Sequence, residues 1–207
     1  MKGRFITLEG CEGVGKSTQL RLLAEYLNRE GIDTAFTREP GGTPLAERIR
    51  EILLDENLVI SPYAEAELFA TARRDHIDNL ILPSIEAGKL VVCDRYIDSS
   101  LAYQGVARGL GIERVYEINS YARENCMPEL TIFIDMDPAN SWRRQKGKEV
   151  MHDRMERESA AFHAACYRGY KEVAAREPER FALIVPERDK TATHLKIVEA
   201  LKARGIV

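Results

Sequence analysis

Read for the spacing of its apolar positions, the chain alternates short β-rich runs with longer helical patterns. Phe5 to Leu8 is a compact apolar run of strand length. Leu20, Leu23, Ala24 and Leu27 follow at helical spacing and mark one face of a helix, for which Gly31 supplies a stop. Thr34 to Thr37 predicts a second short strand, and Leu45, Ile49, Ile52 and Leu53 a second helical stripe. Leu68, Phe69, Ala72 and Ile77 predict a longer helix that Pro83 ends or kinks, because proline has no N–H for the helical ladder. Leu90 to Cys93, Thr131 to Ile134 and Phe181 to Val185 are further strand-length runs, and Leu195, Val198 and Leu201 repeat along a last helix. Strands alternating with helices predict an α/β three-layer sandwich, with about five parallel strands and helices on both faces. Ligands of such sheets lie beyond the carboxyl ends of the strands, so the chemistry should follow the first three.

The 207 residues predict one domain over residues 1–207. Apolar residues at 44% and charged residues at 30% suit a chain with a real core. The formal net charge of -3 lacks the basic excess that a nucleic-acid backbone demands, so no nucleic-acid polymer is expected as a partner. Any phosphate chemistry must rest on a local basic cluster. Cys11, Cys93, Cys126 and Cys166 are far apart and form no C-x-x-C pair, which argues against a zinc site or a disulfide framework and suits a reducing, cytoplasmic setting. Met1 to Leu8 shows no signal-peptide pattern, and no run reaches the length of a membrane span, so no membrane partner is expected.

The strongest motif is Gly10-Cys11-Glu12-Gly13-Val14-Gly15-Lys16-Ser17, followed by Thr18. It fits G-x-x-x-x-G-K-[ST] and lies between a predicted strand and an amphipathic helix, the context of a phosphate-binding P-loop. The glycines let the backbone curl so that successive N–H groups face phosphate oxygens, and the following helix adds its positive end. Lys16 can reach the β- and γ-phosphates of ATP, and the Ser17 hydroxyl can ligate Mg²⁺. A P-loop names a nucleotide and not a reaction. A GTPase switch would carry an N-K-x-D motif, which the chain lacks, and the chain is short for a motor core. A regulatory nucleotide-binding module and a small-molecule kinase stay open on the P-loop alone.

Three further segments bear on an acceptor. Arg38-Glu39-Pro40-Gly41-Gly42-Thr43 follows the second strand. Phe69 and Arg73 stand four apart on one helix face. Asp94-Arg95-Tyr96 follows the third strand and continues through Ser99, Ser100, Tyr103 and Gln104. From Phe5 to about Val185 the chain resembles the thymidylate kinase family, whose signature is similar to the run from Asp94 to Gln104 and whose other mark is the R-E-P-G-G segment. The resemblance implies a P-loop kinase fold with a lid at about residues 143–156. It implies transfer of the γ-phosphoryl group of ATP to dTMP, giving dTDP and ADP for dTTP synthesis, with Mg²⁺ as cofactor and a homodimer as the assembly. A kinase for dUMP or UMP is the nearest rival, since a single methyl group is worth only about 1–3 kcal/mol in an apolar pocket.

A monophosphate dianion must be held against an ATP tail that is already negative, and arginine does this with two parallel hydrogen bonds. Arg38 and Arg95 match the family's acceptor-phosphate arginines. The resemblance further implies that Phe69 stacks on the pyrimidine and that Arg73 donates to a base carbonyl. It sets Tyr103 where a ribose 2′-hydroxyl would project, and lets Ser100 or Gln104 read the base edge, with Pro40 and Ser99 among the acceptor contacts. Glu12 corresponds to an acid that faces the acceptor sugar and metal. Asp94 ends the third strand near the metal, and Asp135 after the fourth is the rival Walker-B acid. Gly13 stands where some members carry a basic residue, so the cation for the transfer is expected from the lid. Arg143-Arg144-Gln145-Lys146-Gly147-Lys148 and Asp153-Arg154-Met155-Glu156 are placed for that. By resemblance Arg144 lies over the adenine and Arg154 or Lys148 touches the transferring phosphoryl group.

Overall fold

The computed structural model describes residues 3–145, 154–155 and 157–207, with residues 142–145 described as backbone alone. Five strands form one parallel sheet: β1 (Arg4–Glu9), β2 (Thr34–Arg38), β3 (Leu90–Asp94), β4 (Leu130–Ile134) and β5 (Phe181–Ile184), in the order β2-β3-β1-β4-β5. The helices are α1 (Lys16–Arg29), α2 (Pro44–Leu54), α3 (Pro62–His76), α4 (Leu82–Glu86), α5 (Ile97–Ser100), α6 (Ile112–Ile118), α7 (Ser120–Asn125), α8 (Pro138–Gln145), α9 (Ala160–Arg176) and α10 (Lys190–Ala203). The β1-to-β2 connection runs opposite in direction to the others. Right-handed crossovers therefore put α1 on one face of the sheet and α2 to α4 on the other, and α10 packs against α1.

The strands need no polar face. Phe5 to Glu9 are all buried on β1, and Leu130 to Ile134 are all buried on β4, as expected where both sides of a sheet are covered. Leu8 pairs in register with Asp94, and Arg38 pairs with Asp94, so the carboxyl ends of β1, β2 and β3 finish level at one edge. The residues that follow all three strands are thereby brought to one place.

Several helix faces differ from the sequence expectation. On α2 the buried stripe is Ala46, Ile49 and Leu53, while Leu45 and Ile52 are exposed. On α10 it is Thr193, Ile197, Val198 and Leu201, while Leu195 is exposed. In each case the true stripe keeps the three- and four-residue spacing and is shifted by a fraction of a turn, which apolar surface residues disguise. Helix starts follow local chemistry: Thr43 and Ser61 cap α2 and α3, each followed by a proline at the first helical position. Pro83 ends nothing. A π-helical turn, Ile77–Ile81, carries α3 into α4 and stands just before the proline, whose missing N–H interrupts the helical ladder at that point.

A second π-helical segment, Leu101–Ala107, continues α5. It carries Tyr103 and Gln104, and α9 lies directly against it. Gly169 permits this approach, since a Cβ there would stand 2.8 Å from the Cα of Ala102. The closeness brings Tyr170, fully buried, up to the ends of β1 and β3.

Candidate active site

The loop between β1 and α1 closes on itself. Gly15 has φ 101°, a left-handed conformation that costs a side-chain-bearing residue energy, and it turns the chain into the first turn of α1. Lys16 is buried, and its Nζ donates to the carbonyl oxygens of Gly10 (2.9 Å) and Cys11 (3.0 Å). Burial, and then the charge of Arg95, push the Lys16 pKa down. An anion accepted at this loop would relieve both effects. Ser17 and Thr18 lie in the first turn of α1, with Ser17 exposed, so the positive end of a fourteen-residue helix faces the same space.

Beside this loop lies a cavity of about 180 Å³. Arg38, Pro40, Phe69, Arg73, Arg95, Ser99, Ser100, Tyr103 and Gln104 line it, together with Glu12 and Asp94. Every acceptor residue expected from the sequence is thus brought to one place. The wall also includes Glu39, Tyr96 and Met155, from the segments that carry the sequence motifs, and Arg50 and Leu54 from α2, which no motif marks.

Arg73 is almost fully buried. Its Nε donates to Glu39 (2.8 Å), its Nη1 to Asn119 and its Nη2 to Ser100 (3.1 Å), and its guanidinium carbon lies 5.1 Å from the centre of the Tyr96 ring. Glu39 is held in turn by His76, whose Nδ1 donates to it at 3.0 Å, and the Thr37 hydroxyl lies 2.7 Å from the other ring nitrogen. Glu65, Phe69, Arg73 and His76 share one face of α3 at helical spacing. That polar stripe was a readable signal, masked by the apolar stripe next to it. Phe69 is half-buried between this face and α2. Arg38 is exposed and bonds Glu47 at 2.9 Å.

Arg95 reaches from the end of β3 to Glu12 in the P-loop and donates to Tyr170 (2.8 Å) and Ser99 (3.3 Å). Burial would raise the Glu12 carboxyl, but the charges of Arg95 and Lys16 outweigh it and hold the pKa at about 2. Tyr103 donates to the same carboxylate at 3.4 Å. Behind this pair stands Glu9, fully buried, which accepts from the Tyr96 N–H (2.7 Å), Ser99 (2.7 Å) and Tyr170 (2.9 Å). Burial and the neighbouring Asp98 raise its pKa to about 7. Glu9 and Tyr170 carry no local sequence signal, being contacts across more than a hundred residues of chain.

The two candidate metal acids have different surroundings. Asp135 accepts from Tyr167 at 2.7 Å and pairs with Lys171 at 2.6 Å. Asp94 lines the cavity, and its Oδ1 is buried with no hydrogen-bond partner among the described residues. A buried acceptor left open beside a phosphate-binding loop suits the waters of a hydrated Mg²⁺, which keeps much of its hydration shell.

Of the lid residues, Lys146 to Asp153, with Lys148 among them, and Glu156 lie outside the described residues, as does the side chain of Arg144. Arg154 is described, and its position differs from the one expected at the transferring phosphoryl group. Its Nε donates to the carbonyl of Leu53 at 2.8 Å, and its guanidinium pairs with Glu65 at 2.7 Å. The buried Glu65 carboxylate on α3 holds it there together with Arg108 and Gln104.

The thymidylate kinase family model matches residues 8–197. The chain belongs to the thymidylate kinase family. A thymidylate kinase of Thermoanaerobacter sp. (strain X514) is 44% identical over 202 residues, 98% of each chain. One of Oceanobacillus iheyensis is 44% identical over 205 residues, 98% of this chain and 91% of the relative. The solved thymidylate kinase of Ehrlichia chaffeensis superposes with a TM-score of 0.79 at 32% identity, covering 98% of this chain and all of that one. The fold is therefore that of a P-loop kinase. Membership in the family makes the chain an enzyme of nucleotide biosynthesis, an ATP-dependent kinase, and decides against a regulatory module without turnover. Among the described residues, no helix is long and apolar enough to cross a membrane.

Proposed function

We propose that the chain transfers the γ-phosphoryl group of ATP to dTMP through the residues gathered at the ends of β1, β2 and β3. The observation that carries this reading is the cavity itself. It joins the acceptor arginines, an aromatic ring and base-edge polar groups to the P-loop acid Glu12. The dTMP phosphate attacks the γ-phosphorus with one of its own oxygens. With a second pKa of roughly 6 it is already mostly ionised at neutral pH, so no general base is needed. The protein's task is to place two anions together and neutralise them.

In this reading Lys16 leaves the carbonyls of Gly10 and Cys11 for the phosphates of ATP, which the Gly10–Thr18 segment cradles. Arg38 and Arg95 hold the acceptor phosphate. Arg95 is already oriented by Glu12, Ser99 and Tyr170, so little ordering remains to be done on binding. Phe69 stacks on the base, Arg73 and either Ser100 or Gln104 meet its edge, Pro40 lies against it, and Tyr103 stands at the sugar. Mg²⁺, held by Ser17 and through water by Asp94, would supply charge neutralisation at the phosphates. Arg154 is the further cation for the phosphoryl group and Arg144 the contact to the adenine. To act, Arg154 must exchange Glu65 for the phosphate.

We place this activity in the cytoplasm, in a single-domain chain that acts as a homodimer, with α3 contributing to the interface. Substitution of Arg95 by alanine tests the chemical core of the reading. Arg95→Ala is expected to cut dTMP phosphorylation by about 100-fold or more while the chain stays folded. A near-normal rate in a folded Arg95→Ala chain would sink the role assigned.

A further inference from the structure

Glu65 is a fully buried carboxylate that the phosphoryl chemistry leaves unused. It accepts from Gln104 Nε2 (2.8 Å) and from Arg108 Nε (3.1 Å), and it pairs with Arg154 (2.7 Å). Arg108 also pairs with Glu158 at 2.6 Å, so two cations meet two carboxylates. Burial works against the ionised form of Glu65, but the hydrogen bonds from Arg108 and Gln104 outweigh it and hold the pKa below the usual carboxylate range.

An ionised carboxylate has no proton to give. Gln104 can turn only its NH₂ group toward Glu65, since the flipped amide would set a carbonyl oxygen against the carboxylate. Gln104 is buried and lines the cavity, and among the described residues none donates to its Oε1. The fixed amide therefore leaves an acceptor for a molecule in the cavity. Four residues earlier, the Ser100 hydroxyl accepts from Arg73 and keeps its own hydrogen to donate. The wall thus offers donors at Arg73 and Ser100 and an acceptor at Gln104.

A thymine or uracil ring carries a carbonyl beside an N–H on that edge, whereas cytosine carries an NH₂ beside a bare nitrogen. We propose that Glu65 is a positioning residue for base specificity, which locks the Gln104 amide so that the cavity takes a pyrimidine with an N3–H and rejects cytosine. The inference rests on the reading that the cavity holds the base of dTMP.

The test is kcat/KM for dTMP and for dCMP in the full chain and its Glu65→Gln and Gln104→Leu variants. Both variants are expected to lower the dTMP-over-dCMP ratio by about tenfold or more, with the KM for ATP unchanged within about twofold. Glu65→Gln is expected to lower the ratio no further when Gln104→Leu is already present. If Gln104→Leu lowers the ratio and Glu65→Gln does not, or if the two effects simply add, the positioning role is overturned while the base-reading cavity stands. If neither lowers it, the cavity reading itself fails. Should the Glu65→Gln chain not fold, hydrogen exchange of the Gln104 side-chain amide in the unaltered protein decides: slow exchange supports an amide held on the carboxylate, and exchange at the rate of a free glutamine overturns it.

Discussion

The guanidinium of Arg95 is bonded to the carboxylate of Glu12, so the arginine that follows β3 and the acid inside the P-loop hold each other across the cavity wall. The Arg95 position is not reached cheaply. Arg95 has φ 68°, the one left-handed conformation among the described residues other than glycine, and it turns the chain sharply from β3 so that the side chain points back toward β1.

That backbone makes a stability prediction separate from catalysis. Arg95→Ala and Arg95→Gly both remove the guanidinium and both should lose phosphoryl transfer. Only glycine relieves the left-handed strain, so the Arg95→Gly chain should be about 1–2 kcal/mol more stable than the Arg95→Ala chain in urea unfolding. Equal stabilities would mean that the turn is unstrained.

The pair Arg73–Glu39 makes a larger claim. Both side chains are buried, so neutralising the acid leaves a largely desolvated cation without its counter-charge. Glu39→Gln should destabilise the chain by about 3–5 kcal/mol. Combining it with Arg73→Met should cost less than the sum of the two single changes, and strict additivity in the double-mutant cycle would contradict the coupling.

Asp94 and Asp135 are told apart by substitution with asparagine. Asp94→Asn should lower kcat/KM by about 10- to 100-fold and raise the Mg²⁺ concentration needed for half-maximal rate. Asp135→Asn should leave both unchanged and cost no more than about 1 kcal/mol of stability, because its partner Lys171 is itself well exposed. A reversed pattern would move the metal to the end of β4.

Glu9 predicts a pH dependence. Its pKa is raised in the folded chain to about 7 by burial and by Asp98, so over the acid range the folded state binds the proton more tightly than the unfolded state does. Its contribution to stability is greatest below the unfolded carboxyl pKa of about 4.3 and is lost as pH rises through about 7. Glu9→Gln should therefore flatten the fall in stability between these limits, by something on the order of 1–3 kcal/mol. Parallel stability curves for the two proteins across that window would exclude the raised pKa.

What the sequence made legible was whatever local spacing encodes. The P-loop is eight consecutive residues, the Asp94 to Gln104 run is eleven, and Phe69 with Arg73 is one helical turn. The P-loop and the Asp94 to Gln104 run reach the site because the first three strands end level, and α3 brings Phe69 and Arg73 to the same cavity. The supports of these groups were not legible. Glu39 finds Arg73 across 34 positions, Glu9 finds Tyr170 across 161, and Asn119 finds Arg73 across 46. Such pairings are set by strand order and by the close approach of α9 to the π-helical segment. Glu65 and His76 lie between these cases, for they share the helix face of Phe69 and Arg73, but a charged residue at helical spacing reads from sequence as a solvated one. Leu45, Ile52 and Leu195 show the opposite error, since an exposed leucine or isoleucine has no mark that separates it from core.

In the proposed function this cavity takes dTMP as phosphoryl acceptor. The most direct measurement is Mg·ATP-dependent turnover by the purified chain with dTMP, dUMP, UMP, CMP, AMP and GMP in turn. The highest kcat/KM is expected with dTMP, a weaker rate with dUMP, and little with the ribonucleotides or purines. A higher kcat/KM with any monophosphate other than dTMP would contradict the assignment of Phe69, Arg73 and Tyr103 to a deoxythymidine pocket.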